Sequence, residues 1–354
     1  MSTTVYRLGR VEYPDGLDLQ AQLQRARMAG AVDDTLLLLE HPPVLTMGRA
    51  AKASNILTPA AQLSKLGVSV FETDRGGDVT YHGPGQIVGY PLIHLVPGKQ
   101  DVRKYVRGIE ETLIVALQHF GITATRMPQW PGVWLAESKL GGARKIGALG
   151  VHLSRWYTRH GFALNVSPNL SHFELIVPCG IREAGVTSME AELGRKVPIS
   201  EVEDVLAQTF GEVFGSPMVD AAPPLRTVSV VAHRSGFVLV LQRTEARGGF
   251  WQPVTGKIDA GETAAQAAQR ELSEETWLTA RVRPLDYVHA FAMRQTQPPL
   301  LIEETAFAVE APEGFEPRLD PSEHRAFEWL PRAQAIERFE FEGLKEAVRR
   351  ALPG

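Results

Sequence analysis

Three prolines fall between Gly215 and Arg226, in the run Gly215-Ser-Pro-Met-Val-Asp-Ala-Ala-Pro-Pro-Leu-Arg226. Proline lacks an amide hydrogen and fixes φ, so such a run breaks a helix and is excluded from the centre of a sheet. It divides the chain. The 354 residues also exceed the ~250–300 that one hydrophobic core usually serves. Upstream, Ser200 and Glu203 have the spacing of a capping box. Val202, Val205, Leu206, Phe210, Val213 and Phe214 then repeat at helical spacing. Gly215 suits the left-handed position that closes such a helix. These signals predict a first domain over residues 1–215, a linker over 216–225 and a second domain over 226–354.

Each part mixes helix and strand patterns. Val102, Val106, Ile109, Leu113, Ala116, Leu117 and Phe120 mark an amphipathic helix stopped by Gly121, and Leu17 to Ala29 reads as another. Thr35 to Glu40 and Gln86 to His94 are apolar on both faces, as in strands covered on both sides. The second domain opens with apolar runs Thr227 to Val231 and Phe237 to Leu241, flanking a turn at Arg234-Ser-Gly236. Two short helical patterns follow Pro331.

Composition narrows the partners. A net charge of -4 gives no basic field for a nucleic-acid polymer. One cysteine excludes an intramolecular disulfide and fits a reducing compartment. No apolar run approaches the ~18 residues of a membrane span. Met1 to Gly16 lacks the charged and apolar blocks of a secretory leader. The expectation is a cytoplasmic protein without a membrane partner.

Three polar clusters in the first domain stand out. Arg75, Asp78, Tyr81 and His82 sit among the glycines of the run Arg75 to Gln86. Isolated glycines are usually turn residues, but here they would let backbone approach a ligand that the polar side chains orient. Gly83-Pro-Gly85 is no dinucleotide turn, because a strand pattern follows where a helix is required. Lys145 lies between glycines and an apolar run ending at His152. A lone lysine is ordinarily a solvated charge; beside small residues it becomes a candidate base. Cys179 lies between Pro178 and Gly180 after an apolar stretch, downstream of His160-Gly-Phe-Ala-Leu-Asn165. A lone cysteine is commonly a small buried hydrophobe; beside a cation it becomes a nucleophile. Cys179, His152, His160 and His172 match no usual zinc spacing.

Together the motifs RGGDVTYHGPGQ, KIGALGVH, HGFALNV and VPCGI resemble the octanoyltransferase family of lipoate biosynthesis. The resemblance implies an α/β fold like that of biotin and lipoate ligases. It implies transfer of octanoyl from acyl carrier protein to a lysine of lipoyl domains, in 2-oxoacid dehydrogenase E2 subunits and the glycine cleavage H protein. Carried over, Cys179 matches the acyl-thioester nucleophile and Lys145 the lysine that lowers its pKa. Arg75, Gly76, Gly77, Asp78, Val79, Thr80, Tyr81 and His82 match one substrate-binding stretch. Ala148, Leu149 and Gly150 match a second, and Gly161, Phe162 and Ala163 a third. Many members carry Gln where this chain has Asp78. The alternative on the same fold is an ATP-dependent lipoate or biotin ligase, which needs no cysteine. No cofactor is expected for acyl transfer, since a thioester is already activated.

In the second domain Glu271, Glu274 and Glu275 share one helical face, where like charges cost about 0.2–0.5 kcal/mol per pair. Three glutamates so placed are ordinarily a solvated acidic face; a hard divalent cation would instead use the oxygens directly. Gly256, Glu262, Arg270 and the three glutamates resemble the Nudix box, G-x5-E-x7-R-E-U-x-E-E-x-G-U. The resemblance implies an α/β/α sandwich and a Mg2+- or Mn2+-dependent pyrophosphohydrolase acting on a nucleoside diphosphate-linked small molecule. Glu271 and Glu275, then Glu274, are the expected ligands. Glu262 and Arg270 are expected to fix loop and helix, and Glu303 or Glu304 to add a ligand or base. Trp277 stands where the box has glycine, which predicts a different helix ending. A non-catalytic nucleotide-binding module is the alternative.

Overall fold

A computed structural model describes residues 2–128, 130–136, 142–177, 185–293 and 300–353. They form two compact units, one reaching Ala222 and the other beginning at Pro223.

The first unit runs β1 (Thr3–Arg10), α1 (Tyr13–Met28), β2 (Asp34–Glu40), β3 (Val44–Met47), α2 (Ala60–Lys65), β4 (Ser69–Glu72), β5 (Val79–His82) and β6 (Gln86–Leu92). It continues with α3 (Val102–His119), β7 (Thr125–Met127), β8 (Trp130–Leu135), β9 (Arg144–Ser154), β10 (Tyr157–Asn165), β11 (Gly185–Val186), α4 (Met189–Leu193), α5 (Ile199–Phe214) and β12 (Met218–Asp220). Nine strands make one mixed sheet, ordered β12-β1-β2-β6-β10-β9-β8-β7 with β11 beside β9. β4, β3 and β5 form a second, three-stranded sheet.

Strand alternation explains the apolar run in β2. Leu36 and Leu38 join Ile109 and Leu113 of α3 and Leu206 and Phe210 of α5 in one core. Leu37 and Leu39 point the other way and are equally buried. α1 packs on β6 and β10.

Two boundaries differ from expectation. α1 starts at Tyr13, because Pro14 is tolerated in a first turn, where its missing amide is no loss. α5 starts at Ile199 with Pro198 as N-cap and no side-chain cap. Ser200 therefore lies inside the helix, and the Ser200/Glu203 capping box does not form. Gly215 does close α5, at φ 64°. The span expected as linker contains β12, which pairs in parallel with β1 through Thr3↔Met218 and Val5↔Asp220. Pro217 is compatible with this because it precedes an edge strand. The non-strand stretch between the units is residues 221–224.

The second unit comprises β13 (Leu225–Arg234), β14 (Phe237–Arg243), β15 (Trp251–Gln252), β16 (Val254–Lys257), α6 (Ala264–Thr276), β17 (Arg283–Met293), β18 (Leu300–Glu310), β19 (His324–Pro331), α7 (Arg332–Arg338) and α8 (Glu342–Ala351). The turn at Ser235 and Gly236 has both φ angles positive, the twist a tight hairpin needs. The hairpin splays after two residue pairs, and β13 then pairs with β16. Val228, Val230 and Ala232 face Ala267, Ala268 and Leu272 of α6. Val231 faces Ala335 and Phe339 of α7 and Val348 of α8. Helices thus cover both faces of the sheet, an α/β/α sandwich.

Candidate active sites

In the first unit the second and third motifs are directly paired strands. Ala148 lies opposite Ala163, Leu149 opposite Phe162 and Gly150 opposite Gly161. A pocket opens over these pairs, lined also by Val88, Tyr90, Tyr13 and His160. From the first motif, Arg75, Gly77, Asp78, Thr80 and His82 line it. Gly76 does not line it; its amide bonds the Val151 carbonyl at 3.0 Å. Val79 and Tyr81 turn to the opposite face of β5, into a core with Leu45 and Phe173. The two-residue strand period separates the motif into pocket-facing and core-facing halves.

Close packing demands Gly161. A Cβ there would lie 2.2 Å from the Gly89 carbonyl oxygen and 2.5 Å from Pro91 Cδ. Arg75 is buried, donating to the Thr46 carbonyl at 2.6 Å and the Gly76 carbonyl at 3.1 Å. Asp78 accepts from Asn55 Nδ2 at 2.7 Å and from the Val79 amide at 2.7 Å.

The sequence reading missed Asp74. Its carboxylate binds His160 Nε2 at 2.7 Å, His152 at 3.0 Å and Arg159. Burial works against its charge, but the His160 hydrogen bond and the Arg159 charge hold its pKa below the ordinary range. Burial lowers His160 to about 4, despite Asp74. His160 holds φ at 56°, an uncommon conformation for a non-glycine residue. Tyr13, Tyr90 and His41 were missed as well. His41 is fully buried, bonds the Val11 carbonyl at 2.6 Å through Nδ1 and Tyr90 Oη at 2.7 Å through Nε2. None of these groups has a spacing signature.

Lys145 sits on β9 opposite Trp134 of β8, its Nζ 5.1 Å from the indole centroid. On its other side β11 runs parallel, with Val186 opposite Lys145. Cys179 lies outside the described residues. The flanking Val177 amide bonds the Asn55 carbonyl at 2.8 Å, and the Gly185 amide bonds the Ala143 carbonyl at 3.1 Å.

In the second unit, Thr263 and Gln266 form the capping box that starts α6. Arg270 gathers the acidic loop: Nε and Nη2 bond Glu262 at 3.1 and 3.0 Å, and Nη1 bonds Glu271 at 2.7 Å and Glu274 at 3.1 Å. Gly256 makes room for Glu271, since a Cβ there would lie 1.8 Å from its carboxyl carbon. Glu275 is buried, and among the described residues no side chain hydrogen-bonds its oxygens, the Thr255 backbone alone lying close enough to favour its charge. Burial, reinforced by Glu271 and Glu323, raises its pKa to about 9 against the pull of Arg243.

The cluster differs from the expected ligand trio. One ligand atom each from Glu275, Glu323 and His324 lie within 4.8 Å of one another. Glu274 is instead 60% exposed and tied to Arg270, because its position on α6 points outward. Glu304 is buried against His289 Nε2 at 3.1 Å, and Glu303 pairs with Arg226, so neither joins this group. His324 is buried, neither ring nitrogen makes a hydrogen bond among the described residues, its Nε2 lies 3.9 Å from a Glu275 oxygen, and burial lowers it to about 4. Nothing periodic in the sequence marked Glu323 or His324.

Trp277 ends α6 as glycine would, in the left-handed conformation at φ 63° and ψ 15°. The expected different ending is thus corrected. The indole is exposed and stacks under the Arg318 guanidinium at 4.4 Å, while the Arg318 amide bonds the Thr276 carbonyl at 3.1 Å.

The folds therefore define a lipoate-ligase-like α/β domain followed by a Nudix-type sandwich. The lipoyl protein ligase A/B catalytic domain family matches residues 12–211, and the NUDIX domain family matches residues 223–351. An octanoyltransferase of Myxococcus xanthus is 56% identical over 352 residues, covering 98% of each chain, both domains included. An octanoyltransferase of Chloroflexus aggregans is 48% identical over 219 residues, 62% of this chain and 97% of its own length. A structure of a bipartite lipoate protein ligase from Thermoplasma acidophilum aligns at TM-score 0.50 and 16% identity, over 62% of this chain and 87% of that one, which speaks to fold alone. The chain belongs to the octanoyltransferase family, with a C-terminal NUDIX domain. Among the described residues no helix is long and apolar enough to cross a membrane.

Proposed function

We propose that the first domain moves octanoyl from octanoyl-acyl carrier protein to a lysine of a lipoyl domain through a thioester on Cys179. The observation that carries this is the pocket, walled by Val88, Leu149, Phe162 and Ala163 between two of the family's motifs. Such walls suit an acyl chain, at about 0.8 kcal/mol per buried CH₂. The Cys179 thiolate attacks the donor carbonyl, a new carbon–sulfur bond forms as the donor's breaks, and the carrier leaves as a thiol with the proton that the Lys145 ammonium gives up, which leaves Lys145 neutral. The lysine amine then attacks, the amide forms, and the cysteine leaves as thiolate. The amine's proton passes to Lys145, which flanks the chain returning at β11. The recipients are lipoyl domains of 2-oxoacid dehydrogenase E2 subunits and the glycine cleavage H protein. Intact-mass analysis after incubation with octanoyl-carrier protein tests this: one octanoyl adduct is expected, absent from Cys179→Ala. Transfer that requires ATP and free octanoate would overturn it.

For the second domain we propose divalent-cation-dependent cleavage of a nucleoside diphosphate-linked small molecule. The orphaned Glu275 carboxylate, with Glu323 and His324 beside it, is a donor set that fits Mg2+ or Mn2+. When bound, the cation supplies polarisation of a phosphoryl oxygen and acidification of a water. Arg270 holds the loop and helix in place around it. A screen of nucleoside triphosphates and dinucleotides with each cation tests this on the whole protein. No cleavage of any of them would favour a binding module.

A further inference from the structure

One chain of buried side chains in the first domain runs from the pocket to the strand beside Lys145. His82, Gln86, Asn165 and Thr187 are exposed by only 7, 2, 5 and 3%. His82 Nδ1 meets Gln86 Oε1 at 2.7 Å, and Gln86 Nε2 donates to Asn165 Oδ1 at 2.8 Å. Asn165 Nδ2 donates to the Thr187 carbonyl at 2.9 Å. The Thr187 amide donates to the Lys145 carbonyl at 2.9 Å, and its hydroxyl to Glu192 at 2.6 Å.

The direction of this chain is determined by its anchors. A carbonyl oxygen only accepts, so Asn165 must turn its NH₂ toward Thr187 and offer Oδ1 to Gln86. Gln86 Nε2 also faces the Tyr81 carbonyl, at 3.3 Å, which forbids the flipped amide. Gln86 Oε1 is then left to accept from His82, so Nδ1 carries the ring proton. Burial, aided by the neighbouring His41, lowers His82 to about 3 and keeps the ring neutral. A neutral imidazole protonated at Nδ1 has its lone pair at Nε2. His82 lines the pocket.

We infer that Gln86 and Asn165 are positioning residues that lock His82 with Nε2 as a hydrogen-bond acceptor for the attacking lysine amine. The inference rests on the octanoyl-transfer reading. An acceptor in this pocket repels a thioester carbonyl oxygen and attracts an N–H. The amine is the N–H donor that the second half-reaction brings to the carbonyl. His82 breaks no bond; the proton still goes to Lys145.

The test uses full-length protein with ¹⁵N-labelled histidine rings, His82 being assigned through His82→Gln. Wild type should show Nδ1 protonated and Nε2 unprotonated between pH 5 and 8, and Gln86→Leu should release the Nε2–H tautomer. In single-turnover assays, Gln86→Leu and Asn165→Leu should slow transfer from octanoyl-enzyme to a lipoyl domain roughly tenfold, with acylation by octanoyl-carrier protein unchanged. Asn165→Asp, whose carboxylate still accepts from Gln86 Nε2, should keep the Nδ1–H tautomer that Asn165→Leu loosens. A wild-type Nε2–H tautomer, an unchanged tautomer in Gln86→Leu, or acylation slowed as much as transfer would overturn the inference. If wild type forms no octanoyl-enzyme, the transfer reading fails instead, and the tautomer still decides whether the lock exists.

Discussion

His82 in the first domain and Glu275 in the second are both buried, at 7% and 4% exposure, yet they are held in opposite ways. His82 ends a chain of partnered amides. Among the described residues Glu275 finds no side-chain hydrogen-bond partner, only the Thr255 backbone nearby, and His324 Nε2 approaches it no closer than 3.9 Å. A buried polar group left unsatisfied costs about 1–3 kcal/mol. The first arrangement is partnered within the protein up to His82 Nδ1 and leaves Nε2 and the apolar pocket walls to the substrate. The second carries a cost that a divalent cation would offset. The difference separates a pocket walled by apolar side chains from a buried cluster of ionisable ones.

The sharpest way to break this comparison is Glu275→Gln. A neutral amide is a poor ligand for a hard cation, so diphosphate cleavage should fall to background while octanoyl transfer is unchanged. Thermal unfolding gives a second reading. Mg2+ or Mn2+ at about 100 times Kd should stabilise wild type by ~2.7 kcal/mol and leave the variant unmoved. If the folded variant loses octanoyl transfer, the two sites are coupled and the contrast collapses.

Next in size is Gly161→Ala. The new Cβ would meet backbone oxygen of β6 rather than a flexible side chain, so β6 and β10 must separate. Overpacking of this kind costs about 1–3 kcal/mol. Urea unfolding should register the loss in the first domain, and the cation-induced shift of the second should persist. A wild-type midpoint would mean that the strand packing yields more easily than its distances imply.

How much of this was legible follows from which signals are local. The four motifs and the box carbons of α6 are contiguous, so their residues could be named before their geometry was known. The pairing of Ala148 with Ala163 depends on sheet register, which no spacing encodes. Asp74, His41 and Glu323 act through partners far along the chain. Local rules failed where another local rule competed: Pro198 opens α5 before Ser200 can cap it. Spacing alone puts the three box glutamates on one helical face, but Glu274 turns outward and Glu275 inward, and Arg270 bonds Glu271 and Glu274.

Glu203 gives a smaller, pH-dependent contrast. It is buried in α5, and burial, helped by Glu40 and Asp204 and opposed by Arg7, raises its pKa to about 7. The fold therefore favours its protonated form. That stabilisation is fully present below the ordinary carboxyl range and is lost as pH rises through about 7. The first domain's melting temperature should decline between pH 5 and 8, and Glu203→Gln should flatten the decline. An equal slope in the variant would assign the pH dependence elsewhere.

The smallest expected effect is at Trp277. A non-glycine residue in the left-handed region pays roughly 1–2 kcal/mol. The Arg318 guanidinium over the exposed indole returns about 0.5–1 kcal/mol. Replacing Trp277 by glycine removes both the strain and the stack, so its net effect on stability is slight. Trp277→Ala separates the two, because alanine loses the stack and keeps the strain. The glycine variant should therefore be more stable than the alanine variant by about 1 kcal/mol in denaturant titrations. Both should retain the wild-type cation shift, since Glu275 lies on α6 before this residue and the helix already ends in the glycine-like conformation. Equal stability of the two variants would show that Trp277 meets no conformational penalty there, and a lost cation shift in Trp277→Gly would tie the indole itself to the acidic cluster.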